Sequence, residues 1–335
     1  MSLHIGMTYD LRSDYLALGF TQEQVAEFDS DATINALEAA IKSLGHQVDR
    51  IGNAWALCKR LVAGDRWQLV FNISEGVAGR SRESQVPAIL ELYNVGYTFS
   101  DPLVCAVTLD KAYAKRVLLS GGLRTARFAV VSELSDIAGL SGLADAYPLF
   151  AKPIAEGTGK GIDAASRIDN PQQLGETCSR LLAKFQQPVL VEEYLPGREF
   201  TTAVLGTGRS ARVLGTIELR MRDHAGTDIY SYEMKEKCEN LVDYFPMPAD
   251  ELRAEVEELA LQSYRLLECR DGGRVDVRLD RAGRPTFLEV NPLPGLHPTH
   301  SDLPMIATQE GMTYAELIGS IINSAAGRLG LSPSA

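Results

Sequence analysis

The chain has 335 residues, 45% of them apolar, and a formal net charge of −11. This length predicts two or three globular domains, and the excess of acidic groups argues against sequence-independent binding to nucleic acid or to an anionic membrane. No apolar run is long enough to cross a bilayer, the start of the chain lacks the features of a signal peptide, and the five cysteines are scattered without a CxxC pair. We therefore expect a cytoplasmic protein with free thiols.

The first hundred residues alternate between strand-like and helix-like patterns. Residues 3–8 and 67–73 are short apolar runs typical of buried strands, and Asp29-Ser30 can cap a helix between them. This alternation predicts a parallel α/β domain over residues 1–103. A further helix is predicted over residues 110–119.

A glycine-rich segment follows. Residues 147–162 predict a strand, a loop and a directly returning strand, with Gly157, Gly159 and Gly161 in the loop. Alternating glycines expose backbone N–H groups, so the loop can fold over an anion. The spacing fits neither a P-loop nor a dinucleotide fingerprint, which leaves a flexible hairpin tip as the alternative. Lys152, just before the loop, favours a phosphate.

The next strand is predicted over residues 188–195 and runs into a Pro-Gly turn. The end of such a strand can bind a purine through backbone hydrogen bonds, while Glu199 accepts hydrogen bonds from ribose hydroxyls. The alternative is that Glu192 and Glu193 are ordinary surface charges.

Residues 274–291 alternate between apolar and polar on either side of a turn at Gly283, which predicts a β-hairpin. If Asp280 faces Pro285 across a four-residue turn, the apolar residues share one face. That core face is predicted to contain Val275, Val277, Leu279, Leu288 and Val290.

The other face of this hairpin is polar. The same register places Arg274 opposite Asn291 and Asp276 opposite Glu289. Two carboxylates and an amide form a set of hard oxygen ligands suited to Mg²⁺. A solvated polar face is the alternative, and the Asn-Pro-Leu-Pro-Gly run that ends at Gly295 argues against it.

These segments, in this order, resemble the ATP-grasp superfamily and, within it, the D-alanine–D-alanine ligase family. The resemblance covers roughly residues 67–320 and is carried by Leu109-Asp110-Lys111, Glu193-Tyr-Leu-Pro-Gly-Arg-Glu199-Phe-Thr, Tyr232-Glu-Met-Lys235, Gly273-Arg274-Val-Asp276 and Glu289-Val-Asn291-Pro-Leu-Pro-Gly295. It implies an α/β (α+β) ATP-grasp fold in three parts. These are a Rossmann-like pre-ATP-grasp domain at 1–103, a small central subdomain with the phosphate loop at 104–194, and a C-terminal subdomain with the metal-binding hairpin at 195–335.

The resemblance also implies roles for individual residues. The residues implied to bind ATP are Lys111, Lys152 and Lys235 at the phosphates, Glu192, Glu193 and Leu195 around adenine, and Glu199 at the ribose. Those implied to hold two Mg²⁺ ions, with Mn²⁺ as an alternative, are Asp276, Glu289 and Asn291. Those implied at the reaction centre are Arg274 and the Gly295 N–H group at the oxyanion, Thr158 in the loop and Ser301 at the acceptor carboxylate.

The implied activity is ATP-dependent ligation of a carboxylate to an amine through an acyl phosphate. The product would be a dipeptide, as in peptidoglycan biosynthesis, with release of ADP and phosphate. The resemblance further implies small amino acid substrates and a homodimer, with neither nucleic acid nor membrane as a partner.

The amino-acid pockets depart from the family pattern. The family's glutamate for the first substrate's ammonium has no secure counterpart, and Glu27 and Asp29 are the candidates. Glu75 stands where the family has histidine, and Asp302 where an apolar residue is usual. The sequence leaves open a diverged enzyme with the same substrates, a ligase for other amino acids or a hydroxy acid, a kinase that stops at phosphoryl transfer, or a nucleotide-binding regulator.

Overall fold

The computed structural model describes residues 2–140, 142–143, 146–221 and 242–331. Its strands are β1 His4–Thr8, β2 Gln47–Gly52, β3 Leu69–Asn72, β4 Phe128–Val131, β5 Leu149–Pro153, β6 Arg167–Ile168, β7 Val189–Glu193, β8 Glu199–Leu205, β9 Arg212–Met221, β10 Val242–Pro246, β11 Gly272–Leu279 and β12 Pro285–Asn291. Its α-helices are α1 Arg12–Ala17, α2 Asp31–Ser43, α3 Ala54–Val62, α4 Gln85–Leu92, α5 Pro102–Leu109, α6 Lys111–Ser120, α7 Pro171–Phe185, α8 Glu251–Leu266, α9 Asp302–Gln309 and α10 Tyr314–Arg328. Short 3₁₀ turns occur at Arg82–Ser84, Leu134–Gly139, Ala164–Ser166 and Gly208–Ser210.

The N-terminal sheet is parallel, in the strand order β2-β1-β3, as the alternating pattern predicts. Helix α2 begins where expected, because the Ser30 hydroxyl accepts a hydrogen bond from the Thr33 N–H group at 3.2 Å. The apolar face of α2 is buried through Ile34, Leu37 and Ile41. That burial fixes the helix on the sheet.

The central sheet has the order β4-β7-β5-β6 and is antiparallel throughout. The prediction of a strand returning directly after the glycine loop is wrong. The loop continues past Gly161 through a 3₁₀ turn, and the return is the two-residue strand β6. Residues of this longer loop line a cavity beside the sheet, which is described below.

The C-terminal sheet has the order β10-β9-β8-β11-β12 and contains the hairpin predicted from the sequence. Arg274 lies opposite Asn291 and Asp276 opposite Glu289, which confirms that part of the register.

Two details of the hairpin differ from the prediction. Leu279, rather than Asp280, faces Pro285, and a β-bulge inserts Leu288 as an extra residue in β12. The two errors cancel, so the polar pairs keep their places. As a consequence Phe287 takes the core position, with 0% exposure, and Leu288 lines a cavity instead.

The N-terminal and C-terminal parts share one hydrophobic core. Residues of β1, β3 and α2 pack with residues of α9 and α10 and with one face of the C-terminal sheet. The other face of that sheet is covered by α8 and α6, and α7 covers the central sheet. The domain boundaries near residues 103 and 194 stay a prediction. No helix in the described part of the chain is both long and apolar enough to cross a membrane.

Candidate active site

A cavity lies between the central and C-terminal sheets and collects most of the residues singled out from the sequence. This first cavity is lined by Lys111, Lys152, Glu192, Glu193, Leu195, Glu199, Arg274, Asp276 and Glu289. A second cavity adjoins it and is lined by Thr158, Asn291, Gly295 and Ser301. Lys111, Glu156, Arg274 and Glu289 line both cavities. Lys235 lies outside the described residues.

The inner end of the first cavity is built around Glu192 on β7. Its carboxylate lies 2.8 Å from the Lys115 Nζ atom and 2.9 Å from the Lys152 Nζ atom. Burial alone would raise the pKa of Glu192, but the two ammonium groups outweigh it and lower the pKa to about 2. Glu192 is therefore an ionised anchor that fixes Lys152.

Sequence reasoning missed Lys115. Its side chain has 0% exposure and also donates to the Thr125 hydroxyl at 2.7 Å. The available signal was its position four residues after Lys111 on α6, which places both lysines on one face of the helix.

Lys111 joins three elements at the junction of the two cavities. Asp110 caps α6 through the N–H groups of Ala112 and Tyr113, both at 3.1 Å. The Lys111 Nζ atom donates to the Glu156 carbonyl at 2.5 Å and lies 3.7 Å from the Glu289 carboxylate. Burial lowers the pKa of Lys111, partly offset by Glu289.

The polar face of the hairpin is organised by Arg274. It pairs with the Asp276 carboxylate at 3.4 Å and with Asp302, and with the Asn291 side-chain amide turned by 180° its Nε atom donates to the amide oxygen at 3.1 Å. Burial would lower the pKa of Arg274, but Asp276, Asp302 and Glu289 together raise it. Asp276 also accepts a hydrogen bond from Thr201 at 2.9 Å.

This face provides oxygen ligands of the kind that Mg²⁺ prefers. Asp276 and Glu289 face each other across the β-ladder, and Asn291 lies two residues further along β12. Among the described residues, no group of three or more His, Cys, Asp and Glu side chains is placed to hold a metal. The proposed set has two carboxylates and an amide, so its donor chemistry fits a hard divalent ion.

At the far wall of the first cavity, Glu199 pairs with Arg278 at 3.3 Å. Glu193 instead points outward, 3.2 Å from Arg127, and Leu195 is buried. Of the two neighbouring glutamates, Glu192 is therefore buried in the ion pairs and Glu193 is half-buried at the rim.

The glycine-rich loop contacts the N-terminal domain. Lys160 pairs with Glu27 at 2.9 Å and with Glu156 at 2.6 Å. Gly157 comes so close to Glu27 that a Cβ atom there would collide with the carboxylate, and Thr158 has a positive φ of 51°. The loop thus needs glycine at 157 in order to rest on Glu27.

Glu27 is also bound by Arg82 at 3.0 Å. Burial raises the pKa of Glu27, but Arg82 and Lys160 outweigh it and the net shift is downward. Asp29, the other candidate for the ammonium site, lies beside Asp10 away from both cavities, and its burial raises its pKa to about 7.

The second cavity carries two further acidic residues from the N-terminal domain, Glu75 and Glu83. Burial raises the pKa of Glu83 to about 7, and burial together with Glu83 raises the pKa of Glu75. On the opposite wall the Ser301 hydroxyl accepts a hydrogen bond from the His297 N–H group at 3.0 Å. Glu75 and Asp302 were visible in the sequence only as departures from a family pattern.

The arrangement of two antiparallel sheets around a cavity with buried lysines and an acidic hairpin defines the ATP-grasp class. Residues 131–323 match the family model described as D-ala D-ala ligase C-terminus. A D-alanine–D-alanine ligase from Bordetella petrii is 39% identical over 241 residues, which are 71% of this chain and 70% of that protein.

Solved structures agree over nearly the whole length. The D-alanine–D-alanine ligase of Bacillus anthracis complexed with ATP has a TM-score of 0.73 at 20% identity and covers 98% of both chains. The VanG D-Ala:D-Ser ligase of Enterococcus faecalis has a TM-score of 0.74 at 19% identity, covering 97% of this chain and 100% of that one. The chain belongs to the D-alanine–D-alanine ligase family of ATP-dependent ligases, which confirms the family and the ATP-grasp fold predicted from the sequence.

Proposed function

We propose that this protein joins the carboxylate of one amino acid to the amine of another, with ATP cleaved to ADP and phosphate. The observation that carries the proposal is the junction of the two cavities at Lys111, Arg274 and Glu289. A phosphoryl group that leaves a nucleotide in the first cavity must meet the acceptor carboxylate of the substrate at this junction.

The first cavity would hold the nucleotide. Lys111 and Lys152 would neutralise phosphate oxygens, since both are buried cations at its inner end. Adenine would lie near the end of β7 beside Glu192, Glu193 and Leu195, and Glu199 would accept from the ribose. Lys235 is part of the proposal only through its sequence motif.

Asp276, Glu289 and Asn291 would hold the divalent metal, Mg²⁺ or Mn²⁺, which when bound offsets the charge of the phosphates during phosphoryl transfer. Arg274 lies at the centre of these ligands. Its contacts orient the oxygens of these side chains, and its positive charge reduces the repulsion between the two carboxylates.

The chemistry needs an acyl phosphate, because a free carboxylate has no adequate leaving group. Attack by the amine then produces a tetrahedral intermediate with a negative oxygen. Arg274 and the Gly295 N–H group would stabilise that oxygen, and losing one such donor typically costs about 3–4 kcal/mol of transition-state stabilisation.

The glycine loop would exclude water from the activated carboxylate. Its Lys160 side chain pairs with Glu27, which lines the second cavity, and so bridges the central and N-terminal domains. A closed loop protects an acyl phosphate from hydrolysis, and the Thr158 hydroxyl lies at its tip.

A homodimer and a cytoplasmic location are part of the proposal. Cys58, Cys105, Cys178 and Cys269 are free thiols in the described part of the chain, which suits a reducing compartment.

A ligase for amino acids other than alanine is the second candidate. The acidic lining of the second cavity, with Glu75, Glu83 and Asp302, favours it. A hydroxy acid as the first substrate is less favourable, because it brings no ammonium group to these carboxylates.

The test is ADP release, measured with ATP and Mg²⁺ over D- and L-amino acids and hydroxy acids, singly and in pairs, with mass spectrometry of the product. A dipeptide formed in step with ADP supports the proposal. Glu289→Ala should abolish ADP release, whereas Glu255→Ala, an exposed site on α8, should leave it unchanged. ADP release without any amine dependence would instead indicate a kinase, and no ADP release with any acid would indicate a regulator.

A further inference from the structure

We propose that the first substrate carries a second cationic group, so that it is a diamino acid or a guanidino amino acid, bound by Glu75 and Glu83. The inference rests on the proposed function, because it assigns the substrate class of the same second cavity. Unlike the proposed function, it requires a cation to bind at the N-terminal wall, our name for the side of the second cavity formed by Glu27, Glu75 and Glu83.

When Glu75 and Glu83 are ionised, the N-terminal wall carries more negative charge than one ammonium group can neutralise. Glu27 is already paired with Arg82 at 3.0 Å and Lys160 at 2.9 Å, and Lys160 pairs with Glu156 at 2.6 Å. The formal charges of these two glutamates, one arginine and one lysine sum to zero. Glu27 therefore needs no further cation from a substrate.

Glu83 is different. The residue is only 8% exposed and lines the second cavity, yet its side chain forms no hydrogen bond or ion pair with any residue in the described ranges. A carboxylate is rarely buried without a partner, because desolvation penalises its charge. Arg82, Lys111 and Lys160 favour the ionised form of Glu83 but do not offset its burial, so a further cation in the cavity would supply the missing charge.

Glu75 adds a second carboxylate to the same wall. It lies close enough to Glu83 for each carboxylate to repel the other's charge, and it also lines the second cavity without an ion pair among the described residues. Two carboxylates of like charge side by side favour a doubly cationic partner, because a single ammonium leaves one of them uncompensated.

The junction with the first cavity would receive the other end of the substrate. Lys111 and Arg274 lie at the junction with the first cavity, where the reacting carboxylate must meet the phosphate. A diamino acid can place its carboxylate there and both of its amines at Glu75 and Glu83. Alanine has only one amine to place.

The raised pKa values of Glu75 and Glu83 agree with this arrangement. In the protein alone, burial favours the protonated forms of both, together with repulsion from Glu27 at Glu83 and from Glu83 and Glu27 at Glu75, and a bound cation would reverse that preference. The competing arrangement is a pair that shares one proton and binds a single ammonium, and it predicts a preference for neutral side chains.

The experiment is calorimetric titration of the full chain with Mg²⁺ and a non-hydrolysable ATP analogue. The probes are D- and L-alanine, 2,3-diaminopropionate, 2,4-diaminobutyrate, ornithine, lysine and arginine. We expect at least one cationic amino acid to bind about tenfold or more tightly than alanine of the same chirality, the scale of one hydrogen bond to a charged group. Glu83→Gln and Glu75→Gln should each remove most of that preference, and Glu255→Gln should retain it.

Three results would overturn the inference. They are alanine binding at least as well as every cationic probe, no measurable binding of any cationic probe, or an unchanged preference in both folded glutamine variants. A parallel assay of ADP and product separates the two proposals. Tight binding of a cationic amino acid without ligation would refute the proposed function alone, whereas ligation of neutral amino acids only would refute the cationic site alone.

Discussion

The Lys115 Nζ atom lies 2.8 Å from the Glu192 carboxylate, deep between α6 and β7. Lys152 reaches the same carboxylate from β5 at 2.9 Å. Glu192 thus holds one lysine that lines the first cavity and one that is absent from its lining. Lys115 acts on the cavity through Glu192 and is a positioning residue.

Replacing Lys115 by methionine should therefore raise the KM for ATP by about tenfold, with a much smaller change in kcat. Without Lys115 the Glu192 carboxylate would no longer be held in place, and Lys152 would shift with it. Breaking a buried ion pair also destabilises a protein by about 3–5 kcal/mol. Steady-state kinetics and circular dichroism would measure both effects. Lys184→Met, which removes an exposed pair with Glu23, is the control, and a folded Lys115→Met protein with an unchanged KM for ATP would contradict the assignment.

Arg274→Ala should lower kcat by about 10²–10³ while leaving the dissociation constant of ATP within about threefold, because an oxyanion donor matters as charge develops. Arg274→Lys should recover folding but not turnover, since lysine keeps the charge and loses the planar fork. Single-turnover kinetics and equilibrium nucleotide binding would separate the two parameters. Weaker ATP binding with normal turnover would place Arg274 at the nucleotide instead.

Local patterns were sufficient to predict much of the fold. Period-two alternation predicted the hairpin and its polar face, and the Asp29-Ser30 pair located the start of α2. The Asp276–Glu289 pairing came out right because the misplaced turn and the missed bulge cancel. The bulge at Leu288 could not be predicted, because it depends on how the hairpin packs rather than on alternation.

The contacts missed by sequence reasoning join residues far apart in the chain. Lys115 and Glu192 come from different elements, and Glu83 lines a cavity together with Lys111 and Asn291 from distant parts of the chain. No spacing rule relates such positions. The family resemblance located the cavity residues but carried no information on positions where this chain departs from the pattern.

Asp271 should be a large contributor to stability. It is fully buried and accepts hydrogen bonds from the Phe99 N–H group, Ser324 and Arg328, each at 2.8 Å. These donors come from the N-terminal domain and from α10, so one carboxylate ties the two ends of the shared core.

Asp271→Ala should lower the free energy of unfolding by about 3–5 kcal/mol, because it leaves Arg328 without its buried partner. Ser324→Ala removes a single donor and should cost about 1 kcal/mol. Urea denaturation followed by tryptophan fluorescence would compare them. Equal, small losses in both variants would show that Asp271 does not join the two regions.

Glu83→Gln should stabilise the protein above neutral pH. Burial raises the pKa of Glu83 to about 7 in the folded protein, against about 4.3 for an unfolded chain. A group with a raised folded pKa contributes stability that is complete below the unfolded value and is lost as the pH rises through the folded value. Wild-type protein therefore loses stability between about pH 4.3 and pH 7, and the glutamine variant, which cannot ionise, does not.

The gain at about pH 8 has an upper limit of about 4 kcal/mol, from a pKa difference of about 2.7 at roughly 1.4 kcal/mol per tenfold shift in the proton equilibrium. At about pH 4 the two proteins should be equally stable. Urea midpoints measured across this pH range for wild type and Glu83→Gln would test this pH dependence. Glu255→Gln, at an exposed site, is the control, since all ionisable groups other than Glu83 and Glu255 are common to the three proteins. A constant difference at all pH values would mean that Glu83 titrates normally, and a variant less stable at high pH would mean that its carboxylate is bound by a cation even without substrate.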